Sequence, residues 1–382
     1  FSGTGGNITI NASTLYVGNS SQISASSDYL RNSGSTFGGN YAGTITLNAT
    51  LVNITGTINA RGGNGDSNNC FDLFNEFSQG ARGNGGVVNI SAVTIANTGL
   101  INVEKGSIGW CDGGDGQNNG RDGQIWINNT WSPCNNGTIL DWTAGTSAGQ
   151  IGTSCQITKG IRIPANYVLD LSGKNLTIGD GGRLNGDADS CNSGSCNSGE
   201  NFTIIVDVLN LSNGNISSDG GAGASDGVDV TGSGGTITIN ASRIYVGDNS
   251  QISASSDYIM NTGDGFGGGN GGTIKLNATL VNISGTINAR GGNGDNNACY
   301  SLAGDNFQGT KGDGGTVNIT AITIENTGLI NVEKGIFGEC EDSTINSGRD
   351  GQIFINNTFS PCNNGTILDA DFSKTCKISK GI

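Results

Sequence analysis

Histidine is absent from this 382-residue chain, methionine occurs once and proline only 3 times. Without histidine the commonest general base is missing, and with it the imidazole that most often binds metal. Basic residues are scarce as well: Lys and Arg total 18 against 32 Asp and Glu, a formal net charge of −14. Nucleic acid and anionic membrane both require a basic surface, so neither is an expected partner. No run approaches the ~18 consecutive apolar residues of a membrane span. Aromatic residues make up 6% of the chain. What is abundant is small and polar: 68 Gly, 50 Asn, 38 Ser and 35 Thr. Such a composition can signal disorder. Regular short runs of Ile, Val and Leu, together with 10 cysteines, argue for a folded chain instead.

Self-similarity organises the sequence. Gln22 to Tyr29 (QISASSDY) returns unchanged at Gln251 to Tyr258, and Leu51 to Ala60 (LVNITGTINA) returns as Leu280 to Ala289 (LVNISGTINA). The chain divides into a first module at 1–161, an intervening segment at 162–230 that occurs once, and a second module at 231–382. It opens at Phe1 inside a repeat, without a signal peptide, and Ile382 matches Ile161, where the intervening segment would begin again. These features suggest a mature or excised piece of a longer polypeptide, or subunits that join end to end.

A finer period lies within each module. Gly43 to Gly63 reads GTITLNATLVNITGTINARGG. Alternating apolar residues mark one strand at Ile45 and Leu47, a second at Val52 and Ile54, and a third at Ile58 and Ala60. Roughly twenty residues with three short strands make one coil of a parallel β-helix. The expected fold is therefore all-β, a single right-handed parallel β-helix of about ten such coils, its handedness following the crossover rule. Coils begin near Gly6, Gly43, Gly86, Gly123, Ile161, Asn201, Gly235, Gly272, Gly315 and Gly351. Gly-rich insertions at 28–39, 64–85, 107–121, 183–200 and 219–233 leave at the same corner and are expected to stack as loops along one side. Trp126, at a strand position, is expected to fill the core.

The cysteines repeat with the modules, and an even number in matched positions reads as a disulfide framework formed in an oxidising, extracellular setting. The expected pairs are Cys70–Cys111, Cys134–Cys155, Cys191–Cys196, Cys299–Cys340 and Cys362–Cys376, although spacing alone leaves other pairings within each module open. A metal cluster would call for CxxC or histidine partners.

Asn-X-Ser/Thr occurs 18 times, about twice the chance expectation for this composition. The candidate glycosylation sites are Asn7, Asn11, Asn19, Asn48, Asn53, Asn89, Asn128, Asn136, Asn175, Asn201, Asn210, Asn215, Asn240, Asn277, Asn282, Asn318, Asn356 and Asn364. Covalent N-glycans on outward corners are one reading. The other applies to Asn11, Asn48 and Asn128, each five residues after a coil-opening glycine: stacked coils would align their amides into a hydrogen-bonded ladder.

GGNITINAS at 5–13, GTITLNATLVNITGTINARGGNG at 43–65 and GGTIKLNATLVNISGTINARGGNG at 271–294 resemble the coils of filamentous-haemagglutinin-type adhesins and of large archaeal surface β-helix proteins. The resemblance implies an exported rod or adhesive surface at the cell exterior. Enzymes built on β-helices, the polysaccharide lyases and glycoside hydrolases, use paired carboxylates or arginines. Candidate carboxylates are Asp112/Asp115, Asp187/Asp189 and Glu339/Glu341/Asp342, and candidate arginines are Arg61/Arg290 and Arg121/Arg349. Solvated acidic loops and corner contacts explain them more simply, so catalysis is not expected. Tyr29, Phe71, Tyr258 and Tyr300 stand in loops, where they could stack on sugars or on another subunit. Asp66, Asp115 and Asp295 in Gly-rich turns are the candidate ligands should Ca²⁺ bind, but the full nine-residue calcium repeat is absent and no cofactor is expected. The expected role is a structural subunit of an extracellular filament, sheath or surface layer, a head-to-tail homopolymer joined through open coil ends. An adhesin or glycan-binding stalk is the alternative, and a carbohydrate-active enzyme the third possibility.

Overall fold

The computed structural model describes residues 4–27, 40–64, 83–106, 120–134, 140–141, 150–151, 154–189, 191–221, 223–256, 268–293, 311–335, 348–360 and 364–368. Among them every regular element is a strand, and most pairing is parallel. The chain forms two compact units, one of residues 1–163 with 177–184 and one of residues 164–176 with 185–382.

In the first unit the strands are β1 (Ile8–Asn11), β2 (Thr14–Val17), β3 (Gln22–Ser24), β4 (Thr44–Ile54), β5 (Thr57–Asn59), β6 (Val87–Asn97), β7 (Leu100–Asn102), β8 (Gln124–Ile127) and β9 (Thr130–Trp131). The chain continues through β10 (Leu140–Asp141), β11 (Gln150–Ile151), β12 (Ser154–Ile157), β13 (Gly160–Arg162), β14 (Tyr167–Ile178) and β15 (Arg183–Asn185). A ladder of long strands runs β1-β4-β6-β8, with β2 also on β4, and a ladder of short strands runs β3-β5-β7. Ile8 lies opposite Ile45, Ile45 opposite Val88 and Val88 opposite Ile125, so like residues stack in columns.

The second unit repeats the scheme with β16 (Cys191–Ser195), β17 (Phe202–Leu211), β18 (Asn215–Ser217), β19 (Gly223–Val230), β20 (Thr236–Val246), β21 (Gln251–Ser253), β22 (Thr273–Ile283), β23 (Thr286–Asn288), β24 (Thr316–Asn331), β25 (Gln352–Ile355), β26 (Thr358–Phe359) and β27 (Asn364–Leu368). Long strands order β17-β20-β22-β24 and short ones β18-β21-β23, the last joining the end of β24.

The side-chain pattern explains the elements. Along β4 the buried residues are Ile45 and Leu47, then Val52 and Ile54, all fully shielded. The inward phase therefore shifts from odd to even positions across Asn48–Thr50, which places a corner there. Backbone pairing carries on through that corner, so the first two expected strands of a coil form one continuous element. Each shielded Ile or Leu contributes about 1.5–3 kcal/mol of burial, and these columns constitute the core. Glycines hold the columns close: a Cβ on Gly86 would fall 2.0 Å from the Gly43 carbonyl oxygen, and one on Gly123 would fall 1.9 Å from that of Gly86. No L side chain fits there, which accounts for the glycine at these two repeat openings.

Two expectations about position change. The stretches 183–200 and 219–233 are not wholly loop: they contain β15, β16 and β19, and β16 pairs with β19 in parallel. The reason is that once two chain segments leave the same corner side by side, their backbone groups pair with each other. Trp126 is only half-buried, because Ile125 and Ile127 on either side take the inward positions of β8. The indole that is buried is Trp131, 3% exposed.

Candidate functional site

Chemistry-bearing side chains gather at three kinds of place: a charged corner, the asparagine corners and the outermost strand of the first repeat. The charged corner lies in the first unit. Asp122, 2% exposed, accepts the Lys105 amide N–H at Oδ1, 2.9 Å away, and that oxygen stands 3.6 Å from an Arg183 guanidinium nitrogen. Arg183 also approaches Glu104 at 3.7 Å, and Lys159 approaches it at 3.6 Å. The Gly160 amide donates to Glu104 Oε1 at 3.1 Å. A Cβ on Gly160 would collide with the Asp122 carboxylate, so only glycine fits. Within the first unit the cluster ties Lys159, Gly160 and Arg183 to the residues that follow β7 and precede β8; it is a structural ion network. Sequence reasoning passed over Asp122 and Glu104. Their signal is the exact return of NVEKG (102–106) at 331–335 and of RDGQI (121–125) at 349–353, where Asp350 again accepts the Lys334 amide.

Of the expected disulfides, Cys134–Cys155 is the pair with both side chains described. Those sulfurs are bonded, with Cα atoms 5.1 Å apart. Cys196 is also disulfide-bonded. Cys70, Cys111, Cys299, Cys340, Cys362 and Cys376, and the side chain of Cys191, lie outside the described residues.

The asparagines divide into two geometries. Asn48 donates its Nδ2 to Asn11 Oδ1 at 2.8 Å, and Asn277 to Asn240 Oδ1 at 2.9 Å. This is the expected amide ladder, running along the long-strand corner in both units. Asn128 does not join it, contrary to the sequence reading. It reaches the same register, but its φ of 47° and the 63° of Asn129 build a two-residue hairpin turn that reverses the chain into β9. The Asn128 amide then grips a neighbouring strand at two points. Oδ1 accepts the Ala92 N–H at 2.9 Å while Nδ2 donates to the Ala92 carbonyl at 2.8 Å. Asn356 does the same to Ala321 at 3.0 and 3.1 Å, with φ of 48° and 64° at Asn356 and Asn357. Each hairpin thus satisfies edge groups that the short β8 and β25 leave uncovered. The rings beside the second hairpin, Phe354 and Phe359, pack edge to face with centroids 6.3 Å apart.

The candidate catalytic groups show local roles. Arg61 donates to Asn64 at 2.7 Å and Arg290 to Asn293 at 2.6 Å, the same contact in both modules. The Arg121 and Arg349 amides donate to Asn84 and Asp313 side chains at 2.8 and 2.7 Å. Asp187 accepts the Asp219 amide at 2.8 Å and the Ser217 hydroxyl at 3.1 Å, while Asp219 accepts the Ser253 and Ser255 hydroxyls at 2.6 and 2.8 Å. This hydroxyl-and-amide column satisfies the carboxylates along the short-strand corner. Asp112, Asp115, Glu339, Glu341 and Asp342, the calcium candidates Asp66 and Asp295, and the loop aromatics Tyr29, Phe71, Tyr258 and Tyr300 lie outside the described residues. Among the described residues no group of three or more potential ligands is assembled for a metal ion, and no helix is long and apolar enough to cross a membrane.

The third feature distinguishes the two copies. Ile8, Ile10, Leu15 and Ile23 of β1–β3 are half-buried. Their counterparts Ile237, Ile239, Ile244 and Ile252 are fully shielded. What covers the second set is the repeat formed by β17 and β18, whose Phe202, Ile204, Leu209 and Ile216 stand directly opposite them.

Compared with known proteins, the chain matches no family model, no curated protein and no solved structure.

Proposed function

We propose that this protein is a structural subunit of an extracellular filament, sheath or surface layer, and that the parallel ladders within each unit are coils of a right-handed β-helix. The observation that carries the reading is the half-buried set Ile8, Ile10, Leu15 and Ile23. The same face in the second module is completed by another repeat, fully shielding Ile237, Ile239, Ile244 and Ile252. A face that the molecule itself covers with a repeat is one that a repeat fits. The occupant proposed for the outer face is a second copy of the chain, stacked head to tail. At the other end the attachment point is marked by analogy. The Arg162 amide donates to the Gly123 carbonyl at 3.0 Å where the first module is extended, and Gly351 is the corresponding carbonyl of the second. The disulfide at Cys134–Cys155 and the dense sequons fit an exported, N-glycosylated rod, and the local roles of Arg61, Arg290, Asp187 and Asp219 fit a scaffold rather than a catalyst.

The test compares the full chain with its Ile10→Asp variant by sedimentation velocity and negative-stain imaging. Wild type should form rods that lengthen with concentration. The variant places a carboxylate on the docking face, which is already half-exposed in the single chain, and should remain folded and monomeric. Wild type that stays a discrete monomer at high concentration, or a variant that polymerises equally well, overturns the proposal.

A further inference from the structure

The 18 sequons are chemically alike but geometrically distinct. Resting on the reading of the chain as an exported glycoprotein, we propose that Asn175, Asn201 and Asn210 carry N-glycans, whereas Asn128 and Asn356 are backbone clamps that stay unmodified.

N-glycosylation joins the anomeric carbon of a sugar to Nδ2. The donor is a lipid-diphosphate-linked oligosaccharide: the C1–O bond to phosphate breaks, the lipid diphosphate leaves, and one amide proton passes to solvent. The product is a secondary amide, planar and extended like a peptide bond, so the sugar occupies the Nδ2 position on the same side as Oδ1. That position is the one the clamps use. Asn128 bonds both the N–H and the C=O of a single residue, Ala92, and a planar amide can do so only by presenting Oδ1 and the hydrogen beside it together. A sugar at that hydrogen would remove the donor and drive its ring into β6. The same holds for Asn356 against Ala321 in β24. Both residues also occupy the left-handed region, a backbone conformation that asparagine tolerates better than most residues, so the turn supplies its own reason for asparagine at these positions. The sequons Asn128-Asn-Thr130 and Asn356-Asn-Thr358 are therefore turn signals that coincide with an acceptor motif.

Asn201 presents the opposite arrangement. Its Oδ1 accepts the Thr236 amide at 2.8 Å, and its side chain is exposed. A secondary amide keeps that carbonyl, so a glycan on Nδ2 leaves the contact intact. Asn175 and Asn210 are exposed outward positions of β14 and β17, alternating with the buried Leu176, Leu209 and Leu211.

The experiment is site-resolved glycopeptide mass spectrometry on the full chain secreted from a host with N-glycosylation machinery. Occupancy is expected at Asn175, Asn201 and Asn210, with Asn128 and Asn356 at least tenfold lower. A second arm removes the three acceptor motifs while keeping each Asn, through Thr177→Ala, Thr203→Ala and Ser212→Ala. Intact mass should then fall by three glycans. Glycan on Asn128 or Asn356 of folded protein overturns this inference alone, as does a mass unchanged in the triple variant. A chain bearing no sugar at any sequon overturns the glycoprotein reading together with the inference.

Discussion

Replacing Asn356 with glycine isolates the clamp from the turn it sits in. Asn356 makes two hydrogen bonds to Ala321 and adopts a φ of 48°. Each net hydrogen bond contributes about 0.5–1.5 kcal/mol, so the pair is worth about 1–3 kcal/mol. Glycine tolerates positive φ without steric cost, and Asn356→Gly should lose about that amount plus a smaller backbone-entropy contribution. Alanine adds the left-handed penalty of about 1–2 kcal/mol, giving about 2–5 kcal/mol in all. A global melting curve is a poor readout in a repetitive chain, where cooperativity breaks down. The local measurement is hydrogen exchange at the Ala321 amide, whose acceptor is Asn356 Oδ1. Its protection should fall about tenfold in Asn356→Gly, the factor that corresponds to about 1.4 kcal/mol, and further in Asn356→Ala. Asn357→Gly keeps the clamp and should leave Ala321 protected. Unchanged protection in Asn356→Gly, or equal losses in the two glycine variants, would refute the reasoning.

Two further outcomes follow from the ion network and from an exposed carboxylate. Gly160→Ala forces a methyl group onto the Asp122 carboxylate and should cost about 1–3 kcal/mol by overpacking; Gly6→Ala, which meets nothing within 4 Å, is the silent control, and equal hydrogen-exchange protection of the Lys105 amide, whose acceptor is Asp122 Oδ1, in the two variants would discount the cluster. The Ser172 hydroxyl and then the Ser172 amide hold the Asp170 carboxyl below the usual carboxylate range. A depressed folded value stabilises the protein above the unfolded pKa and loses that contribution as pH falls through the folded one. Carbon-detected NMR titration should therefore show Asp170 rising toward the ordinary value in Ser172→Ala; an unmoved midpoint discounts the hydroxyl as the cause.

Much of the fold could be read from residue spacing. Alternation at Ile45/Leu47, Val52/Ile54 and Ile58/Ala60 placed every inward residue of that repeat, because period-2 burial is a local property. The opening glycines Gly43, Gly86 and Gly123 are equally visible, since each marks a backbone contact that excludes a Cβ. The hairpins are not legible because Asn128 reads as one more ladder step and Asn356 as one more sequon, and only the sign of φ marks them as turns. The ion network escaped for a different reason. Arg183 lies far along the sequence from Glu104 and Asp122, and nothing local announces that a chain segment returns there. Trp126 differs from its expectation because a strand position is inward only on alternate residues, and Ile125 and Ile127 take the inward ones.

Near-identity of matched strands such as β4 and β22 has a genetic consequence. Wherever two stretches of a gene encode interchangeable surfaces, unequal recombination can delete or add a whole module without creating a single new contact type. The length of such a protein becomes a heritable variable, free to drift between lineages while every local environment stays the same.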